Sequence, residues 1–419
     1  MSAVAATASS IRRLTQQEAD LICAKHERLW AAKPGGARAV FSWTDISGLV
    51  LKGRNLADAD FTGAILAETD LSDCRLDQAS LYGADMQYCN LRNASLKRAD
   101  LRGACLRGAN LSNADLFEAD LREGSIAAVD KVMGLRVMEP TKRASEAHGA
   151  ILAGANLERS RLSGVMACRA DFTDAVLKDC KMVRANLKQA SFNGADLAGA
   201  DLSGADLSGA DMRDAVLVGA RTNQCKFDDA NMDGVLTDGP SGKDLAKLPY
   251  DQMLRDHALW CETQGAAGSP SVFDKADLRR LVSIKGYDLT ALSAKNAIFY
   301  GLNMEGVQLQ GARLDGADMR ACNLRRADLR GARLVGAKLS GSDLREAQLG
   351  PLLIGSDRML PCDLTDAVLK SADFTGADLR HAVLIRADMS RANFSDALVK
   401  FADVTHAEFK TARGLGCVF

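Results

Sequence analysis

The chain has 419 residues, and its 53 Lys and Arg nearly balance its 54 Asp and Glu, for a formal net charge of −1. This balance excludes a strong overall field that would attract nucleic acid or an anionic membrane, and it lacks the acidic excess of a protein that mimics DNA over its whole surface. Only 5% of the residues are aromatic, which indicates a core of small and medium side chains.

The N-terminal segment MSAVAATASSIRRLTQQEADLI lacks the apolar stretch of a secretory signal, and no run of about 18 apolar residues is present to span a bilayer. The eleven cysteines are an odd number without paired spacing. We therefore expect a cytoplasmic protein with reduced thiols and no membrane association.

Residues 1–38 form the first predicted region, and a helix is expected within it. The stretch TQQE from Thr15 to Glu18 has the pattern of a capping box, and the stretch PGG from Pro34 is a stop signal. We interpret this region as a helix that caps the exposed end of the structure that follows it.

A period of five residues then dominates the chain. From Leu51 it divides into LKGRN LADAD FTGAI LAETD LSDCR and so on. Each unit begins with a large apolar residue, here called the centre. The second residue after it, the turn position, is often Gly, and the third, the small position, is nearly always Ala. The small residue and the next centre are two apart and so point to the same side of an extended segment. Gly at the turn position permits φ > 0 and a sharp corner.

One such unit cannot bury its own centre, so the units must stack. The pattern resembles the A(D/N)LXX motif of the pentapeptide-repeat family. That resemblance implies an all-β solenoid, a right-handed quadrilateral β-helix with four units per coil, so that residues 20 apart lie above one another. To this fold we add short α-helices at the N-terminus and between two halves of the chain.

The period defines the remaining regions. A first β-helix covers 39–240, with an interruption at 127–150. Residues 241–270 form a linker and a second capping helix, and a second β-helix covers 271–419 with an interruption near 350–362. Two apolar residues within this last interruption remain in frame, and they could serve as centres that bridge it: Ile354 and Met359.

The two halves resemble each other where their repeats begin. His26 precedes Trp30 by about one helical turn, as His257 precedes Trp260, and each half then enters its repeats through a Val-Phe pair. Two interpretations of these histidines stay open. They could pack on a helix face beside their tryptophans, or they could act as a ligand or a switch.

Many residues are expected to fill the core. Six cysteines occupy small positions: Cys74, Cys89, Cys180, Cys225, Cys322 and Cys362. Eight phenylalanines occupy centres: Phe61, Phe172, Phe192, Phe227, Phe299, Phe374, Phe394 and Phe409. Three centres are weak, and we expect thin packing around them: Ala167, Thr222 and Ala294.

The sequence shows no nucleotide-binding loop, no nucleophile elbow, no zinc-binding helix motif and no C-x-x-C pair. Its five histidines are not at metal-ligand spacing. The frequent carboxylates follow the repeat, and with four units per coil they would face four different directions. We therefore expect no enzyme activity, no catalytic or metal-binding residues and no cofactor.

Two function classes remain. The first is a non-enzymatic scaffold or adaptor that offers rigid faces and inserted loops to protein partners of unknown identity. The second follows from the family resemblance: a DNA-mimicking modulator of a type II topoisomerase, of the gyrase-binding, quinolone-protection type. Nucleic acid is a disfavoured partner, and a homodimer stays open. The candidate partner-binding residues are Val132, Met133, Leu135, Val137 and Met138 in the first interruption and Arg320, Arg325 and Arg330 in the second β-helix.

Overall fold

The computed structural model describes residues 11–126, 141–239, 243–244, 249–355 and 358–414. By its internal contacts the chain forms two compact units, Met1–Asp238 and Gly239–Phe419. Each unit has its own continuous cluster of buried apolar residues.

Both units are built from coils of four short strands. Residues 20 apart form parallel bridges, such as Asp85 with Cys105 and Val176 with Asp196. The backbone N–H of each centre donates to a carbonyl of the next coil, as Leu81 donates to Asp100 at 2.8 Å. Four units complete each turn of the chain because four five-residue units separate every bridged pair.

Each unit closes its own corner. The N–H of the small residue donates to the carbonyl of the centre, as Ala84 donates to Leu81 at 3.1 Å, and Gly83 between them has a φ of 63°. The Asp or Asn before the centre completes the turn. Asp201 Oδ1, for example, accepts from the N–H of Ser203 at 3.1 Å. The recurring spacing of polar and apolar residues along the chain therefore encodes a turn with its own side-chain acceptor.

The interior is a column of centres and small residues. Leu202 and Ala205 have no exposed surface, and the weak centres Ala167 and Ala294 are equally buried. Phenylalanines 20 apart stack, as Phe41 does on Phe61 with ring centroids 4.9 Å apart. That distance is the spacing of neighbouring strands. Thr222, by contrast, lies exposed in the last coil of the first unit.

The first unit begins with strand β1 (Arg12–Arg13) and helix α1 (Gln16–Trp30). β1 pairs in parallel with β2 (Thr44–Asp45) in the first coil. The Thr15 side chain caps α1 by accepting from the N–H of Glu18, and the Glu18 carboxylate accepts from the N–H of Thr15, which completes the capping box.

The second unit begins in the same way. Strand β5 (Lys243–Asp244) pairs in parallel with β6 (Ala276–Asp277), and helix α2 (Tyr250–Glu262) lies between them in the chain. A 3-10 turn at Arg279–Leu281 lengthens the first coil by one residue, because Val272 bridges Ser293 rather than the residue 20 positions later.

Each unit also carries a hairpin inserted between two coils. In the first unit, β3 (Gly124–Ile126) pairs with β4 (Thr141–Arg143) in antiparallel register. The regular coil resumes with Glu146, which bridges Cys105. The insertion therefore ends before residue 150, and a further unit centred on Ala147 precedes the one at Leu152.

In the second unit, β7 (Leu352–Ile354) and β8 (Arg358–Leu360) form the hairpin, and Arg333 bridges Asp363 across it. The prediction that Ile354 and Met359 act as bridging centres is wrong. Both are about half exposed, at 45% and 53%, because they belong to a hairpin that leaves the coil wall.

Candidate partner-binding surfaces

Two of the three candidate arginines of the second unit, Arg320 and Arg330, are each engaged with the carboxylate two residues earlier. Arg320 donates through Nε and a terminal nitrogen to both oxygens of Asp318, at 2.8 and 2.6 Å. The same fork recurs wherever Asp and Arg flank a centre: Asp100–Arg102, Asp120–Arg122, Asp211–Arg213, Asp277–Arg279, Asp328–Arg330, Asp343–Arg345 and Asp378–Arg380. Bidentate pairs of this kind fix the guanidinium in place.

The structure does not bring Arg320, Arg325 and Arg330 together. They belong to three consecutive units and hence to three successive sides of a coil. Arg320 is only 7% exposed, whereas Arg330 remains partly exposed beside Asp328. Arg325 lies 3.8 Å from Glu346 and has a buried Nε without a hydrogen-bond partner among the described residues. A continuous basic patch on one face is therefore absent from these three positions.

Charges also pair between coils at the turn positions. Arg98 donates to Glu118, and Arg326 to Glu346, each at 2.7 Å and 20 residues apart. Exposed pairs of this kind contribute little to stability. Their effect here is to make the wall locally neutral, since positive and negative side chains alternate along the stack.

The carboxylates of the repeat are occupied as well. Asp201 and Asp206 each accept two hydrogen bonds from the serine two residues later. The Ser203 hydroxyl and N–H lower the pKa of Asp201 from its usual value. Among the described residues, no group of three His, Cys, Asp or Glu side chains is arranged to hold a metal ion.

An open groove of about 830 Å³ follows one corner of the first unit. It is lined by stacked polar residues from successive coils: His148, Cys168, Lys188, Ser208 and Asp228. Lys188 pairs with Asp206, and the Cys168 thiol donates to Asn186 Oδ1 at 3.1 Å. The groove thus results from the stacking of coils, and Lys188 and Cys168 interact with neighbouring side chains of the same wall.

The hairpin of the second unit offers a different surface. A Cβ added at Gly331 would lie 2.7 Å from the Cβ of Leu352 and 3.2 Å from Leu360 Cδ2, so the base of the hairpin lies directly on the coil wall. Beyond that base, Leu353 is 69% exposed. Met359 pairs with Leu353 across the hairpin, and Ile354 lies on the opposite face of β7; we call these three exposed residues the hairpin apolar surface.

The hairpin of the first unit is described only at its base. A Cβ added at Gly124 would lie 2.9 Å from the carbonyl carbon of Arg102, so β3 starts in close contact with the wall. The candidate apolar residues Val132, Met133, Leu135, Val137 and Met138 lie outside the described residues.

A sequence model described as Pentapeptide repeats matches the chain in overlapping segments that cover 37–125, 146–235, 288–350 and 362–412. The chain belongs to the pentapeptide-repeat family. Membership confirms the resemblance drawn from the motif, and it goes with the right-handed quadrilateral β-helix of that family. The gaps between the matched segments contain α2 and both hairpins.

Solved structures similar to the chain include pentapeptide-repeat proteins. Rfr23 from the cyanobacterium Cyanothece 51142 is 25% identical over 33% of this chain and 86% of its own, with a TM-score of 0.22. HetL from Nostoc sp. strain PCC 7120, a protein involved in heterocyst differentiation regulation, is 24% identical over 94% and 97%, with a TM-score of 0.14. Full-length QnrB1, a plasmid-mediated fluoroquinolone resistance protein, is 17% identical over 54% and 92%, with a TM-score of 0.24. No curated protein matched.

Sequence reasoning missed the hairpin apolar surface of this pentapeptide-repeat chain, although a signal was present. Pro351 and Pro361 stand at turn positions, two residues after Leu349 and Met359. Proline has φ near −65° and cannot adopt the positive φ that this corner requires. None of the described helices is both long and apolar enough to cross a bilayer.

Proposed function

We propose that this protein is a non-enzymatic scaffold, in which two β-helical units hold inserted hairpins outward for protein partners. The observation that carries the proposal is the hairpin apolar surface, Leu353, Ile354 and Met359, on a hairpin whose base lies directly on the coil wall. Apolar side chains on a rigidly anchored loop are typical of protein recognition sites.

The helices complete the scaffold, in this proposal, by capping the first coil of each unit. α1 offers the first coil hydrogen-bond partners that a preceding coil would otherwise supply. The side-chain amide of Gln16 both donates to and accepts from the backbone of Val50 at 2.9 Å, and the N–H of Leu14 donates to the carbonyl of Asp45. Arg54 of the coil pairs with Asp20 of the helix at 2.9 Å.

The test compares captured partners. The purified full chain and a triple variant, Leu353→Ser, Ile354→Ser and Met359→Ser, are immobilised and exposed to cell lysate, and bound proteins are identified by mass spectrometry. Val50→Ser is the matched control, because Val50 is apolar and 56% exposed but lies on the coil wall. We expect the triple variant to retain its circular dichroism and to lose specific partners that the control keeps.

A second arm replaces residues 127–140 with a short Gly-Ser link, which leaves β3 and β4 in place. If neither hairpin change alters the captured set while both proteins stay folded, the scaffold proposal in this form is wrong. The topoisomerase alternative is tested with a purified type II topoisomerase as the only added protein. Sedimentation of the chain alone tests the homodimer.

A further inference from the structure

His26 connects α1 to the coil beneath it. The ring is fully buried, its Nδ1 accepts from the backbone N–H of Ala39 at 3.1 Å, and its Nε2 lies 2.9 Å from the carbonyl oxygen of Ala57. Because a backbone N–H can only donate, Nδ1 carries no hydrogen, and Nε2 carries the hydrogen that it donates to Ala57. The ring is therefore neutral in the folded state.

His257 repeats this arrangement in the second unit. It is also fully buried, and its Nδ1 accepts from the backbone N–H of Ser271 at 2.8 Å. Ser271 directly precedes Val272 and Phe273, as Ala39 precedes the corresponding pair in the first unit. The Nε2 of His257 is buried without a hydrogen-bond partner among the described residues.

We propose that His26 and His257 are acid-sensitive clips, and that protonation of either ring releases the capping helix above it. A protonated imidazole carries hydrogens on both nitrogens. Its Nδ1–H would then point at the N–H of Ala39 or Ser271, and Nδ1 could no longer accept the hydrogen bond from it. Neither ring has exposed surface on which to hydrate a charge. The inference rests on the capping role proposed above and adds a regulation to it.

The charged groups around both rings do not reverse the effect of burial, which lowers the pKa of each histidine. Burial lowers the pKa of His26; the Ala57 carbonyl, Asp58 of the coil and Glu27 of α1 oppose that effect, and Arg38 of the connecting segment adds to it. Burial also lowers the pKa of His257, against the opposing Asp288 carboxylate and the nearby Thr290 backbone. The adjacent Cys261 thiol faces the same two residues, and its pKa is raised to about 11 by burial.

The sign of the pH effect follows from these directions. Each histidine has a folded pKa below its ordinary value of 6.5. The stabilisation is therefore complete above pH 6.5 and is lost as the pH falls from there through the folded pKa. Release of α1 would uncover the backbone groups of Val50 and Ala57 that its side chains now pair with, and so expose an edge of the first coil at acid pH.

Hydrogen exchange of the full chain at pH 7.5 and pH 5.5 tests the clips, after correction for the intrinsic pH dependence of exchange. Ordinary carboxylates, with pKa values of about 4, stay ionised in this window. We expect the protection of peptides 16–30 and 250–262 to fall by up to about tenfold in the wild type. Peptide 197–217, in the coil interior, serves as the internal reference.

The matched variant carries His26→Asn and His257→Asn, because asparagine keeps an acceptor near the Nδ1 position and does not titrate. We expect the helices of this variant to keep their relative protection at pH 5.5. An equal loss in wild type and variant, or no loss in either, overturns the proposal.

A titration of the wild-type imidazole resonances covers the case in which the variant does not fold, with the exposed His381 and His406 as references. The clip proposal requires one of the two buried rings to titrate together with the loss of helix protection. It is overturned if neither midpoint coincides with that loss.

Discussion

The turn position decides how well each five-residue unit fits its corner. Nearly all of the described units place this residue at φ between about 50° and 76°, and many of them use Asp, Asn, Arg or Ala there instead of Gly. A side chain at such a φ costs roughly 1 kcal/mol relative to glycine. The fold tolerates this repeated strain because stacking on two neighbouring coils fixes the corner.

Two neighbouring units allow this strain to be measured, by removing a side chain at the turn position of one and adding a side chain at the turn position of the other. Ala291 is exposed at φ 59°, and a Cβ added at Gly286, at φ 69°, would meet no atom within 4 Å. We expect Ala291→Gly to stabilise the second unit by about 1 kcal/mol and Gly286→Ala to destabilise it by about the same amount. Urea denaturation measures both changes. Shifts of the same sign in the two variants would contradict the explanation.

The interior should be sensitive to volume. Leu202 and Ala205 are fully buried in adjacent positions of the column. Leu202→Ala should lower the free energy of unfolding by about 2–5 kcal/mol through a cavity. Ala205→Leu should lower it by about 1–3 kcal/mol through overpacking. Chemical denaturation is the measurement, and shifts below about 0.5 kcal/mol in both variants would place these residues outside the core.

The thiols should be free and slow to react. None of the ten cysteines of the described residues forms a disulfide. Burial raises the pKa of Cys74 to about 11 and that of Cys23 to about 12, so little reactive thiolate exists at pH 8. Thiol titration should find a minority of groups in the native protein and all eleven after unfolding. A disulfide in the native mass spectrum would contradict this expectation.

At this scale the sequence was a sufficient guide to which residues fill the interior, because the five-residue period marks each centre and each small residue, while the four units per coil followed from the family resemblance. The role of the Asp or Asn before each centre was not predictable from that period. Its side chain points outward, as expected, but then turns back to its own backbone, as Asp206 does toward Ser208. Only the geometry of the corner brings those atoms within reach.

The hairpins show why an element can leave the wall without disturbing it. Arg333 and Asp363 are bridged as if the ten extra residues between them were absent. The five-residue period alone could not reveal this insertion, since ten residues are two whole units and leave the repeat in frame. Proline at two turn positions of the frame, Pro351 and Pro361, was the relevant signal, because neither can form the corner.

Removing the second hairpin should therefore restore a regular coil. Deletion of 351–360 together with Pro361→Gly joins Leu349 to a unit reading LGGCD, with glycine at the turn position. We expect this variant to melt cooperatively at or above the wild-type temperature. The same deletion with Pro361 retained is the control and should melt lower, because proline then occupies the corner. Unfolding of both variants would show that the hairpin supports the coil.

The two units should fold independently. Each has its own buried cluster, its own parallel entry strand and its own helix. A chain that starts at Gly239 should give a circular dichroism spectrum rich in strand and a cooperative thermal transition. The repeated His-Trp and Val-Phe pattern indicated where the second unit begins. An unfolded isolated unit beside a stable full chain would contradict this division.

The hairpins also bear on how such a chain changes length over evolutionary time. Insertions leave the ladder at a corner and return to it, one of them shifting the reading frame of the repeat by a residue and the other preserving it. The entropy of closing a longer loop grows only with the logarithm of its length. A change of length should therefore be tolerated at the corners and not along the faces. We expect relatives of this protein to differ by segments gained or lost at corners, while each face keeps its five-residue period.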